Sequence, residues 1–184
     1  MVATVETERL ILREFRFDDV KDLYEYASNP NVGPNAGWTP HKNIQESESV
    51  LNMFMRADNL WAIVYKENHK VIGSIGLHDD ILRSQIKDLK TRCLGYALSY
   101  DYWGMGIATE AVKAIQEYAF NVMKLDLLSV DHYPHNSRSM KVIEKCGFKR
   151  EGTLRKARLS YRNEPVDIVT YSLLKEEWKE LNGR

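Results

Sequence analysis

The chain has 184 residues, 43% of them hydrophobic and 28% charged, a balance that excludes intrinsic disorder and leaves enough apolar surface for one compact domain. Lysine plus arginine equals aspartate plus glutamate at 26 each, so no overall field draws the chain to nucleic acid or anionic lipid. No apolar run approaches the roughly 18 residues of a membrane helix, and residues 1–9 lack both a basic start and an apolar stretch, so neither membrane insertion nor secretion is expected and the cytoplasm is the expected location.

Periods of two and of 3.6 alternate along the chain without repeats or low-complexity linkers, which predicts one mixed α/β domain over residues 1–184. Residues 9–13 (Arg-Leu-Ile-Leu-Arg) read as an opening strand. Asp18 and Asp19 then offer caps to a helix with Val20, Leu23, Tyr24 and Ala27 on one face, which Asn29-Pro30 ends. Residues 31–40, with Gly33, Pro34, Gly37 and Pro40, read as a loop. A second amphipathic helix follows through Ile44, Ser47, Leu51, Phe54 and Met55. Residues 60–65 and 71–77 are apolar and β-branched around a polar turn, a hairpin signature, and 92–99 predicts a third strand of the same sheet. Ile107, Ala111, Ile115, Tyr118 and Val122 form one apolar face, predicting a single helix from just after Gly106 to about Met123. The wholly apolar run 127–130 predicts a buried strand. Asn136 can cap a helix through Met140 and Ile143, with Gly147 at its left-handed end. Two last strands, 148–157 and 166–174, straddle the turn 162–165, and 175–181 adds a helical turn or two.

The segment Trp103-Gly104-Met105-Gly106-Ile107-Ala108-Thr109-Glu110 lies between a strand and a long helix. Glycines there let the backbone turn its N–H groups inward, and a helix start supplies unpaired donors and the positive end of its dipole, which together bind a pyrophosphate without a basic side chain. A P-loop would end in Gly-Lys-Ser/Thr, and Ala108-Thr109-Glu110 excludes it. A dinucleotide fingerprint would place Gly or Ala at 109 and follow the first strand of a parallel sheet. That weaker alternative retains Asp126 and Asp131 as imitations of a ribose-binding acid. Cys93 and Cys146, without CxxC spacing, read as small buried hydrophobes, and no metal is expected.

Gly104-x-Gly106-x-Ala108, placed after three strands, resembles the cofactor motif of the GNAT superfamily of acetyl-CoA-dependent N-acetyltransferases. More narrowly, Trp103-Gly104-x-Gly106-x-Ala108-Thr109-Glu110-Ala111 is similar to the RimJ/RimL branch, the ribosomal-protein N-terminal acetyltransferases and their relatives, where Trp commonly replaces the Gln or Arg of the general motif. Thr7-Glu8-Arg9-Leu10-x-Leu12-Arg13, Gly73-x-Ile75-Gly76-Leu77, and Asn136-x-x-Ser139 with Glu144-Lys145-Cys146-Gly147-Phe148 extend the likeness over nearly the whole chain.

The resemblance implies an α/β (α+β) fold: a mixed, mostly antiparallel sheet of about six to seven strands, about four helices, and a splayed strand pair at the cofactor site. It implies acetyl-CoA as acyl donor and a primary amine as acceptor, first the N-terminal α-amino group of a protein. The alternatives are a small amine such as a polyamine or an antibiotic, or a non-catalytic acyl-CoA-binding module. Leu98, Ser99 and Tyr100 would run beside the pantetheine arm. The segment Trp103, Gly104, Met105, Gly106, Ile107, Ala108 and Thr109 would hold the pyrophosphate, Asn136 would bond the pantetheine region, and Ser139 would face the thiol sulfur and act as the acid that protonates or orients the departing thiolate. For the proton of the attacking amine, His78 stands beside Glu110, Asp131, His132 and Glu164 as a possible base, and Trp38, Tyr26, Tyr161 and Glu164 as acceptor walls. Exposed strands near the C-terminus allow a homodimer.

Overall fold

The computed structural model describes residues 2–183. In chain order it forms β1 (Val5–Glu6), β2 (Leu10–Arg13), α1 (Val20–Ala27), α2 (Gly33–Ala36), α3 (Ile44–Phe54), β3 (Leu60–Tyr65), β4 (Val71–His78) and β5 (Thr91–Leu98). There follow α4 (Ile107–Glu117), β6 (Leu127–His132), α5 (Ser137–Lys145), β7 (Lys149–Leu159), β8 (Pro165–Leu174) and α6 (Lys175–Leu181). The eight strands lie in one sheet, in the order β1-β2-β3-β4-β5-β6-β8-β7. Neighbours run antiparallel except β5 and β6, which are parallel, so this is not the parallel sheet that a dinucleotide fold requires.

The helices cover both faces of the sheet because their apolar stripes have nowhere else to go. Leu23, Tyr26 and Ala27 of α1 and Leu51 of α3 pack with Ala62, Val64 and Ala97 on one face. Ile107, Ala111 and Ile115 of α4 and Ile143 of α5 pack with Leu94, Leu128 and Val130 on the other. Each fully buried leucine, isoleucine or valine among them contributes about 1.5–3 kcal/mol on burial. Local chemistry sets the helix starts. Asn43 Oδ1 accepts from Glu46 N at 3.0 Å ahead of α3, and Asn136 Oδ1 accepts from Ser139 N at 3.1 Å ahead of α5.

The feature that matters for function is a gap. β5 and β6 pair from Thr91↔Leu127 to Leu94↔Val130 and then separate, although β5 continues to Leu98 and β6 to His132. Each strand is held back by its other neighbour, β5 by β4 through Gly73↔Leu98 and β6 by β8 through His132↔Val169. The sheet therefore opens between them while remaining continuous on either side.

Four expectations need correction. Among the described residues the sheet has eight strands rather than about six to seven, because the two-residue β1 pairs with β2 through Val5↔Leu12 and Glu6↔Ile11. Among the described residues the helices number six rather than about four. α2 forms inside the expected loop 31–40, with Pro34 in its first turn and Gly37 closing it at φ 97°, while α6 is the helical turn or two expected over 175–181. The helix expected over 107–123 is α-helical only to Glu117 and ends in a π-helical turn, Tyr118–Val122. The extra residue in that turn rotates the apolar face: Ala119 and Phe120 are buried, and Val122 is 61% exposed. Finally, Asp19 does not cap α1. Its carboxylate accepts from Arg16 N at 2.7 Å and from the Arg13 guanidinium at 2.8 Å, tying the turn before α1 to β2.

Candidate functional site

The separated strands form part of the wall of a cavity of about 680 Å³. On one side of the gap it is lined by the segment around Gly104–Thr109 and by the inner face of α5. On the other it reaches Val32, Asn35 and Ala36 near α2, His78 at the end of β4, and Arg158 of β7.

Gly104 and Gly106 adopt φ 79° and 77°, a left-handed backbone that other residues enter only at a cost. A Cβ at Gly104 would meet nothing within 4 Å, so conformation and not crowding demands glycine there. The turn carries the chain into α4, whose first internal bond runs from Glu110 N to Gly106 O at 3.0 Å. Among the described residues, no acceptor engages the amides of residues 104–109. Six successive N–H groups at the positive end of a helix are the donor set that an anionic diphosphate fits.

A brace from the first strand holds this turn. Glu110 accepts from Thr7 Oγ1 at 2.6 Å, Arg9 N at 2.9 Å and Arg9 Nε at 2.7 Å, and Arg9 Nη1 donates to Met105 O at 2.9 Å. Burial pushes the Glu110 carboxyl up, but the bonds from Thr7 and Arg9 outweigh it and hold the group below its ordinary value. Glu110 is thus an anchored ion-pair partner, with its lone pairs committed to the brace.

At the end of β5, Ser99 N donates to Ile72 O at 2.7 Å and so belongs to the β4 side. Alternation along an extended strand turns the N–H of Leu98 the other way, toward the gap, where β6 no longer pairs with it. The carbonyl of Leu98 is taken by the indole of Trp103, Nε1 to O at 2.8 Å. Trp103 packs against Tyr100 and lies under the Arg138 guanidinium, 4.7 Å from the ring centroid, so it closes this end of the cavity.

Across the gap, Asn136 uses Oδ1 on Ser139 N and Nδ2 on Asn35 O at 3.1 Å, which joins α5 to α2 and leaves one amide hydrogen unassigned. Ser139 lines the cavity, with Tyr96 Oη 2.9 Å from its Oγ. Tyr96 carried no local sequence signal.

The five base candidates separate by geometry. Besides Glu110, Asp131 is held by the two terminal guanidinium nitrogens of Arg158, at 2.5 and 2.7 Å. His132 is buried with Nδ1 2.8 Å from Tyr133 O, so Nδ1 carries the proton and Nε2 is left without a partner. Glu164 lies exposed in the β7–β8 turn, away from the cavity lining. His78 lines the cavity, its ring laid over Gly76 and Gly95, which pair across β4 and β5. A Cβ on either glycine would stand 3.2 or 3.1 Å from His78 Nε2. Desolvation, and after it the Arg158 charge, lower the His78 pKa below the ordinary imidazole value. Of the expected acceptor walls, Tyr26 is in the core under α1, Trp38 Nε1 bonds Ala27 O at 3.4 Å, and Tyr161 O accepts from Thr39 Oγ1 at 3.1 Å. None of the three lines the cavity. Burial pushes both thiols, Cys93 and Cys146, up to about 11, so they are unreactive at neutral pH. Among the described residues, no cluster of three His, Cys, Asp or Glu side chains could hold a metal, and no helix is long and apolar enough to cross a membrane.

Comparison with known proteins gives the family and the fold. The family model of the acetyltransferase (GNAT) domain matches residues 9–149. The chain is 30% identical over 181 residues to "Uncharacterized N-acetyltransferase p20" of Bacillus licheniformis, covering 95% of this chain and 98% of that one. A GNAT-family acetyltransferase of Bacillus anthracis superposes with a TM-score of 0.81 at 27% identity, covering 95% of this chain and 99% of that one. The ribosomal-protein-S5-alanine acetyltransferase of Vibrio fischeri shares the fold, with a TM-score of 0.78 at 21% identity, covering 97% of this chain and all (100%) of that one.

Proposed function

The chain belongs to the GNAT acetyltransferase family, and from that premise we propose that it transfers the acetyl group of acetyl-CoA to the N-terminal α-amino group of a protein. The observation that carries this is the run of unpartnered amides from Gly104 to Thr109, opening into the same cavity as the separated end of β5. Bound there, acetyl-CoA supplies an activated acyl thioester.

The protein's own groups then have distinct tasks. The amides of 104–109 hold the diphosphate, and Trp103 and Arg138 close the cavity beyond it. The free Leu98 N–H is aimed at the thioester carbonyl oxygen, where a preorganised donor is worth a few kcal/mol, about 2.7–4 kcal/mol in measured cases. The remaining amide hydrogen of Asn136 serves the pantetheine. The Ser139 hydroxyl faces the sulfur. His78, desolvated and beside Arg158, stays neutral and accepts the proton of the attacking ammonium. No covalent enzyme intermediate is needed, because a neutral amine attacks a thioester directly.

The acceptor follows from proton energetics and from likeness. An α-amino group near pKa 7.7–8.0 needs roughly 3–4 kcal/mol less to deprotonate than a lysine near 10.4, within reach of an imidazole of lowered pKa. The motif around 103–111 resembles the RimJ/RimL branch, and a ribosomal-protein-S5-alanine acetyltransferase shares the fold. The test is incubation with acetyl-CoA and a panel of peptides with free N-termini, polyamines and aminoglycosides, following thiol release and product mass. Acetylation at the peptide α-nitrogen is the expected result. Turnover of small amines alone would reassign the acceptor, and no thiol release with any amine would overturn catalysis.

A further inference from the structure

Tyr96 lies on β5 two residues before Leu98, partly buried, packed against the core cluster that includes Ile107, Ala111 and Ile143, and lining the cavity. Its hydroxyl spans from the separated strand to the first turn of α5, 2.9 Å from Ser139 Oγ and 3.3 Å from Ser139 O. A phenol has one proton, and Ser139 offers it two acceptors. When Tyr96 donates to the Ser139 carbonyl, the serine proton is free to point back at the phenol. When Tyr96 donates to Oγ, the serine proton must turn elsewhere, and the open direction is the cavity that Ser139 lines. Burial raises the Tyr96 pKa, so the phenol remains a donor across the working range.

We propose that Tyr96 is a positioning residue for Ser139: by donating to Oγ it directs the serine hydroxyl at the sulfur of coenzyme A and stabilises negative charge there. The inference rests on the function proposed above, in which Ser139 faces that sulfur. In the transfer the C–N bond forms and the C–S bond breaks with its electron pair leaving on sulfur. His78 takes one proton from the ammonium to free the attacking amine, the second proton shed by nitrogen as the amide forms passes to solvent, and solvent later supplies the thiol proton. Tyr96 and Ser139 keep their own protons throughout and change only where these point.

Tyr96→Phe retains the ring and removes the hydroxyl, and Ser139→Ala is its comparator. The first readout needs no turnover: the thiol of bound CoA is titrated through its ultraviolet thiolate absorbance. In the wild-type complex the thiol should ionise at lower pH than in free CoA, and both variants should move it back toward the free value. The second readout is kinetic. Tyr96→Phe should lower kcat about tenfold with KM for acetyl-CoA unchanged, and the defect should shrink with an acyl donor whose thiol is more acidic. A wild-type complex whose thiol titrates like free CoA overturns the inference without recourse to any variant. So does a Tyr96→Phe protein that matches wild type while Ser139→Ala does not. A shifted thiol without acetylation of any amine would instead sink the proposed function alone, and acetylation with an unshifted thiol would sink only the role of Tyr96.

Discussion

Gly106→Val probes the pyrophosphate turn with little disturbance elsewhere. The position has φ 77°, and a Cβ built there meets only Arg9 Nη2 at 3.6 Å, an ordinary contact, so the side chain has room. The penalty is conformational. A left-handed residue with a Cβ costs roughly 1–2 kcal/mol, and a branched side chain costs more. The cheaper outcome is for the turn to relax toward negative φ, which swings the amides of Gly106 and Ile107 out of line. A hydrogen bond to a charged phosphate is worth about 1.5–3 kcal/mol, so losing one or two of them weakens CoA binding by about tenfold at the least and on the order of ten-thousandfold at the most. Gly106→Asn separates conformation from bulk, since asparagine tolerates the left-handed region, and it should cost far less. Isothermal titration with CoA gives the dissociation constants, and thermal melts confirm that the fold persists. A folded valine variant with wild-type affinity would refute the reasoning, as would an asparagine variant as weak as the valine one.

The brace behind the same turn predicts a pH-dependent stability. Because the folded-state pKa of Glu110 lies below its unfolded value, its contribution is present above about pH 4.5 and lost as pH falls through the folded value. Glu110→Gln should cost about 1–2 kcal/mol in urea denaturation at neutral pH, and the difference from wild type should narrow below about pH 4. For His78, the neutral imidazole is the active form and its pKa is lowered by desolvation and Arg158, so the rate should rise through a limb below about pH 6.5 and stay flat above it. His78→Ala should abolish that limb, and a limb at the ordinary imidazole position would count against this environment. Trp103→Phe keeps a ring under Arg138 but removes the indole donor from Leu98 O. It should lower stability by about 1 kcal/mol, measured by denaturant midpoint.

Much of the frame was legible because periodicity is local. The runs at 60–65 and 71–77 formed a hairpin, Gly147 took φ 83° after α5, and Asn136 capped that helix. The failures have local causes too. β1 is two residues long, too short to show alternation, and α2 sits in a stretch of glycine and proline whose composition favours a loop. The π-helical turn changes the period within a run that reads as 3.6 throughout. In the site, the glycine turn was visible because its donors are backbone groups attached to the motif itself. The groups that organise it were not. Arg9 meets Glu110 across 101 positions and Tyr96 meets Ser139 across 43, and no window of sequence contains either pair. The base candidates looked alike as residue types. They are told apart only by partners such as Arg158, which reaches Asp131 from β7, where the β7–β8 register shifts between Leu154 and Arg158.

In the proposed reaction, backbone amides of the glycine turn hold the diphosphate of the acyl donor. Backbone amide resonances of the labelled protein, followed while CoA is titrated in, address it directly. The largest shifts, in the direction of new hydrogen bonds, should fall on residues 104–109 and Leu98, with adenosine 3′,5′-bisphosphate, which lacks the pantetheine arm, leaving Leu98 unmoved. Saturating CoA that leaves those amides at their free positions while others shift would contradict it.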